Sequence, residues 1–293
     1  MRQAGRYLPE YRAIRQKVDF LTLCKTPELA AEVTIQPVDI LGVDAAILFA
    51  DILLPLEAMG AELQFVKGDG PSFPDPVRTR EDIARLRNPE VDETLGYVFD
   101  AMRLVRRELD GRVPLLGFGG TPWTLAAYLV EGGGSKHFEH LLAWSYGDPQ
   151  GLAVLLDRIA ETSIAYLQGQ VAAGAQALQL FDTWGGLLDL ERWRAVALPP
   201  LRRVVDALKG QVPLIYYING GAHLLPGLAE LPVVALAAQA APSVLAAAKA
   251  CGIAAVTGKF DRRALIECVG RLLDKADTAP RDLELRIMSE LAA

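Results

Sequence analysis

Six short, largely apolar runs punctuate the chain, the first wholly so, and most give way directly to polar or glycine-rich residues. They are Ala45 to Ala50, Val113 to Phe118, Ala177 to Phe181, Val212 to Ile218, Val233 to Leu236 and Ile253 to Val256. Runs of this length without polar alternation read as strands buried on both faces, as in a parallel sheet. Ala- and Leu-rich stretches of helical character separate them, notably Gly151 to Ala173, Leu190 to Leu208 and Pro242 to Ala250. Leu21 to Val43 has helical spacing as well, with Leu21, Cys24, Leu29, Val33 and Ile40 predicted to face inward. Pro27 suits an early helical position there, and Pro37 is expected to end or kink the helix. Glu62 to Val77 breaks the alternation: its Gly68-Asp-Gly70-Pro71 turn predicts a β-hairpin.

Strand, polar loop and helix repeated at this length predict an α/β barrel or a doubly wound sheet. The barrel is preferred. Polar and glycine-rich residues follow strand ends in several units, where a (β/α)8 TIM barrel assembles its site. A doubly wound sheet would more often show one glycine-rich phosphate turn after its first strand, and this chain has none.

Composition narrows the function classes. With 293 residues, 51% hydrophobic and 23% charged, the chain can build a sizeable core and shows no disorder signature. Its formal net charge of -6 argues against broad nucleic-acid binding. An anionic ligand must then be drawn by a local cluster of cations, and the first fifteen residues supply one. Arg2, Arg6, Arg12 and Arg15 stand there with a single acid, Glu10. Guanidinium groups grip carboxylates with paired hydrogen bonds, so a polyanion site is expected. A solvated basic arm is the plainer alternative. Cys24, Cys251 and Cys268 are sparse and odd in number, which fits a reducing compartment. No apolar run reaches the roughly 18 residues of a membrane span. Nothing resembles a secretory leader, so a soluble, cytoplasmic protein without membrane contact is expected.

Asp51 closes the first apolar run, and a carboxylate there is costly unless it is paired or used. Its ordinary alternative is a helix N-cap. Gly132-Gly-Gly134 before Ser135-Lys136 has the wrong order for a phosphate loop and is read as a flexible loop at the site's mouth. His137 and His140 could share a helix face, but no further ligand lies near them, so they read as surface residues and no metal is expected. His223 is assigned no chemistry.

Met1-Arg-Gln-Ala-Gly-Arg6, followed by Tyr7-Leu-Pro-Glu-Tyr-Arg12, resembles the N-terminal signature of the uroporphyrinogen decarboxylase family. Gly119 to Ser135 and Phe181-Asp-Thr-Trp-Gly185 resemble further family segments. The resemblance implies a carboxy-lyase of porphyrin and haem biosynthesis. Such an enzyme removes the four acetate carboxyls of uroporphyrinogen III, giving coproporphyrinogen III, with no cofactor, and is typically a homodimer. By the same resemblance Asp51, Arg2, Arg6 and Tyr128 form the catalytic set, and Gln3, Ala4, Arg15, Phe181 and Thr183 complete the substrate-binding set. Asp51 would lie beneath the macrocycle and accept its pyrrole N–H groups. Thr183 keeps the hydroxyl of the family's usual serine, and Phe181 would pack against the macrocycle.

The match departs from the family pattern at both ends. The chain starts inside what matches the end of a first strand. Ala237 and Ala238 replace an aspartate and a tryptophan, Thr257-Gly-Lys-Phe-Asp-Arg262 replaces Gln-Gly-Asn-Leu-Asp-Pro, and no last-strand His-Gly element is found. One barrel domain over 1–293 is therefore expected, incomplete at its first and last strands, truncated at the N-terminus and atypical at the C-terminus. Two alternatives stand beside this reading. A zinc-dependent corrinoid methyltransferase of the same fold would need His and Cys ligands at strand ends, where Asn219-Gly-Gly221 stands after Ile218. The other is an inactive porphyrinogen-binding relative.

Overall fold

A computed structural model describes residues 6–66, 70–228, 230–231 and 233, with the strands at 235–238 and 254–257. The main sheet has β1 (Ala46–Ile47), β4 (Leu115–Gly120), β5 (Ala177–Asp182), β6 (Leu214–Ile218), β7 (Ala235–Ala238) and β8 (Ala254–Thr257). Its order is β1-β4-β5-β6-β7-β8, and every neighbouring pair is parallel. The order never reverses, so the chain winds in one direction, whereas a doubly wound sheet turns back at a switch point. Each of the six predicted strands is present. A separate antiparallel hairpin joins β2 (Gln64–Val66) to β3 (Gly70–Ser72), where the excursion was expected.

The helices used below are α1 (Pro9–Arg15), α2 (Phe20–Lys25), α3 (Pro27–Leu41), α4 (Leu54–Ala58), α5 (Gly96–Leu109), α6 (Pro122–Glu131), α7 (Glu139–Gly147), α8 (Pro149–Ala172) and α9 (Leu198–Leu208). The stretch predicted as helical at 242–250 and the tail after 257 lie outside the described residues.

Three local expectations are corrected. Helix α3 runs on through Pro37 to Leu41, because the buried proline ring packs on the face that also carries Ala30, Ala31, Val33 and Thr34. Ile40, predicted to face inward, is 46% exposed in the last turn beyond that packed face. The helix expected over 190–208 contains a π-helical turn at Trp193–Ala197. Pro199 and Pro200 follow it and cannot donate to the ladder, which is where a helix widens or breaks. Prolines also set the strand starts. Pro114 and Pro213 stand just before β4 and β6 and offer the neighbouring strands only their carbonyls, to Ala46 and Leu178.

The ladder between β1 and β4 stops early, and side chains complete it. Leu48 donates to Leu116, and the next backbone position of β4 on that side, Phe118, has no strand beside it among the described residues. The fully buried amide of Gln170 on α8 takes over, accepting from the Phe118 N–H at 2.9 Å and donating to its carbonyl at 2.8 Å. Gly117 leaves room for that amide, since a Cβ there would overlap it. Gln170→Leu leaves both Phe118 groups unsatisfied, and urea titration should show a loss of about 2–4 kcal/mol with an unchanged m-value.

Candidate active site at the strand ends

Parallel strands deliver the residues that follow them to one end of the sheet, and the candidate site is built there. Beyond Leu48 the chain leaves β4, and the Thr34 hydroxyl of α3 accepts the Phe49 N–H at 2.8 Å. Two residues later comes Asp51, only partly buried as a residue. Its carboxylate accepts the Leu53 N–H at 2.9 Å. Leu53, not Asp51, is the N-cap of α4, so the carboxylate closes a tight turn ahead of the helix and caps no helix itself. Desolvation pushes its pKa up to about 6, against the pull of the Leu53 N–H and the positive charge of Arg6.

The arginines of the opening segment sit against aromatic rings. The Arg6 guanidinium carbon lies 5.5 Å from the Phe20 ring centre and 5.8 Å from that of Phe49. Arg15 lies 5.7 Å from Phe20 and donates to the Val18 carbonyl. Phe20 and Phe49 meet edge to face with centres 5.8 Å apart. The rings hold positive charge beside the exit of β1 by cation–π attraction. Arg6, Arg15 and Asp51 are thus brought together, whereas Arg2, Gln3 and Ala4 lie outside the described residues.

Tyr128 stands on α6, which starts at the end of β4. Burial raises the pKa of its phenol, and the Asp51 charge pushes it the same way. Its ring meets Trp184 at 5.9 Å. Phe181, in the last turn of ladder on β5, packs edge to face on Phe118 at 5.7 Å and also touches Tyr217. Thr183 follows it, partly buried, at the same end of the sheet.

Sequence reasoning passed over Asp182, between those two residues. It is 1% exposed. Oδ1 accepts the hydroxyls of Thr121 at 2.9 Å and Thr124 at 2.8 Å, and Oδ2 that of Tyr216. Burial raises its pKa while these donors and the Gly185 N–H pull it back. The signal was present in the sequence, because Phe181-Asp182 repeats the pattern of a carboxylate closing an apolar strand.

The expected flexible loop at 132–134 is pinned at its first two glycines. The Gly132 carbonyl accepts the Phe73 N–H at 2.9 Å, and Gly133 bridges to Ser72. Gly133 has φ 150°, and a Cβ there would meet the Pro71 carbonyl at 2.8 Å, so only glycine fits. His137 and His140 are exposed, as expected. Among the described residues, no group of three or more His, Cys, Asp or Glu gathers to hold a metal ion. A cavity of about 500 Å³ lies elsewhere, between Arg78, Arg80, His140, Trp144 and Asp148, and contains none of the predicted site residues. Arg80 and Asp148 there already form a two-pronged ion pair. No helix among the described residues is long and apolar enough to cross a membrane.

Parallel strands wound in one direction, with a carboxylate and arginines at their C-terminal ends, define an α/β protein with a singly wound parallel sheet. Two solved structures share that fold. One is a methyltransferase from Methanosarcina mazei, with TM-score 0.62 and 23% identity, covering 72% of this chain and 62% of that one. The other is a B12-independent methionine synthase from Shewanella sp. W3-18-1 in complex with selenomethionine, with TM-score 0.52 and 11% identity, covering 79% and 69%. Sequence is more specific. The uroporphyrinogen decarboxylase (URO-D) family model matches residues 1–278. Proteins named uroporphyrinogen decarboxylase are 54% identical in Geobacter metallireducens, 53% in Pelobacter propionicus and 55% in Syntrophotalea carbinolica. The matches take in 77%, 78% and 77% of this chain, and 66%, 67% and 65% of the relatives, so the chain spans about two thirds of their length. The chain belongs to the uroporphyrinogen decarboxylase family.

Asp51 carries a stability consequence. Its folded pKa of about 6 stands above the ordinary 3.8, so the folded state holds this proton more tightly than the unfolded chain. The group therefore favours folding most below pH 4 and progressively less as pH rises through about 6. Asp51→Asn should raise stability at pH 7 by about 1–3 kcal/mol and flatten the decline between pH 4 and 6, measured by denaturant titration across that range.

Proposed function

We propose that this chain decarboxylates the acetate side chains of uroporphyrinogen III to give coproporphyrinogen III, as a cofactor-independent carboxy-lyase. The observation that carries the reading is the desolvated Asp51 carboxylate at the end of β1, within the field of Arg6. Protonation of a pyrrole makes a ring cation that accepts the electrons of the breaking carbon–carboxylate bond as carbon dioxide leaves. The exocyclic carbon then takes a proton, and the ring gives one up. A fixed anion beneath the macrocycle stabilises that cation as it develops. Its raised pKa is the cost of holding an anion ready in a dry site.

The remaining roles follow from chemistry. Arg2, Arg6 and Arg15 clasp the acid arms of the substrate and orient the macrocycle, with Gln3 and Ala4 lining the same segment. Tyr128 and Thr183 offer hydroxyls to a substrate carboxylate, and Phe181 supplies an apolar wall. One domain over 1–293, a (β/α)8 barrel incomplete at its first and last strands, a homodimer and a cytoplasmic location belong to the same reading. The one-directional winding and the family membership support it. Zinc-dependent methyl transfer is disfavoured, because the arginine-rich opening belongs to the decarboxylase pattern and Asn219-Gly220-Gly221 supplies no thiolate after β6.

Anaerobic incubation with uroporphyrinogen, with products separated by carboxyl number, tests this reading. Stepwise loss of four carboxyls is expected, with kcat/KM rising as pH passes through about 6. Asp51→Asn should lower kcat by about 100-fold or more. Arg6→Ala and Arg15→Ala should mainly raise KM. One equivalent of bound zinc with every carboxyl retained would reverse the assignment.

A further inference from the structure

The buried carboxylate of Asp182 is a hub for three strand ends. Thr121 follows β4 and is the N-cap of α6: its hydroxyl accepts the Thr124 N–H at 3.3 Å and donates to Asp182. Tyr216 brings in β6, and the Asn219 N–H after that strand donates to the Asp182 carbonyl at 3.3 Å. A Cβ on Gly185 would overlap the carboxylate, so the loop after β5 closes tightly over it. The anion also lies at the N-terminus of α6, where the helix dipole favours negative charge.

The bonds have a direction. Thr124 donates its hydroxyl proton to Asp182, and the same oxygen accepts the Trp184 N–H at 3.2 Å. The Trp184 carbonyl in turn accepts the indole N–H of buried Trp123 at 3.0 Å. Trp184 is thereby fixed between α6 and the β5 loop, and its ring abuts both Tyr128 and Phe138. Asp182 itself is sealed from the cleft, so it cannot be the group that meets a substrate.

We propose that Asp182 is the positioning residue of this site: through Thr124 it fixes Trp184, and through Trp184 it sets Tyr128 and Thr183 relative to Asp51. Its kinetic consequence rests on the decarboxylase reading, whereas its structural consequence does not.

The full chain labelled with fluorotryptophan provides the test, the Trp184 resonance being assigned by Trp184→Phe. Thr124→Val deletes the relay at nearly constant shape, and Thr124→Ser restores it. Asp182→Asn and Tyr216→Phe alter the hub itself. In Asp182→Asn and Thr124→Val the Trp184 resonance should move while that of remote Trp144 stays. Turnover should fall by about tenfold in kcat with KM changed less than about threefold. Thr124→Ser should recover both readings. A residue that only stabilises the fold would lower Tm and leave the folded fraction with wild-type kcat and an unmoved Trp184 signal, which overturns the proposal. Failure of Thr124→Ser to restore the signal overturns it too. If Asp182→Asn does not fold, the Thr124 pair decides. If the unaltered chain shows no turnover, the decarboxylase reading fails by itself, and the fluorine signals still judge Asp182.

Discussion

Removing a carboxylate from water costs several kcal/mol unless donors replace the lost hydration, and the end of this sheet meets that cost in two opposite ways. Asp182 is surrounded by donors, three hydroxyls and a backbone amide, at a helix N-terminus. Asp51 receives one backbone N–H and the more distant field of an arginine. The first arrangement yields a fixed anchor. Among the described residues, the second leaves acceptor capacity unused and a charge whose energy depends on what is placed beside it. A site needs both: one group that does not move, and one that is still waiting for a partner.

Much of this was legible in the sequence. Short, largely apolar runs located the strands of the main sheet, since a strand buried on both faces shows no regular polar alternation, and Pro114 and Pro213 account for starts two residues later than predicted. Asp51 stood out because a carboxylate closing such a run has few neutral explanations. Asp182 has the same local pattern, and what separates the two is the donors each meets in space. Thr121 and Thr124 reach it from about sixty residues away, and no local window contains that pairing. Gln170 escaped notice for the same reason: a polar residue in an apolar helix reads as a defect until a strand lacking a neighbour is found beside it. The π-helical turn at Trp193–Ala197 follows from two adjacent prolines, but periodicity alone reads through it.

The shared fold does not choose the chemistry. Proteins with this architecture carry the names methyltransferase and methionine synthase, at identities that speak only for the backbone. What distinguishes the present chain lies in the side chains at the strand ends. Arg6 and Arg15 of the opening segment rest on Phe20, and Arg6 also on Phe49, aromatic surface that attracts cations.

Gln170 has a mechanical consequence as well. By gripping both polar groups of Phe118 it makes the 24-residue α8 and the middle of β4 a single rigid body, welded well inside the sheet. The neighbouring β1 is paired over two residues, and the segment that follows it is tied instead to α3, through the Phe49 N–H and the Thr34 hydroxyl. Stress applied to the outer shell through α8 would thus travel to the Gly120–Thr121 corner, while the segment bearing Asp51 takes its position from α3. The two acids sit on opposite sides of that seam.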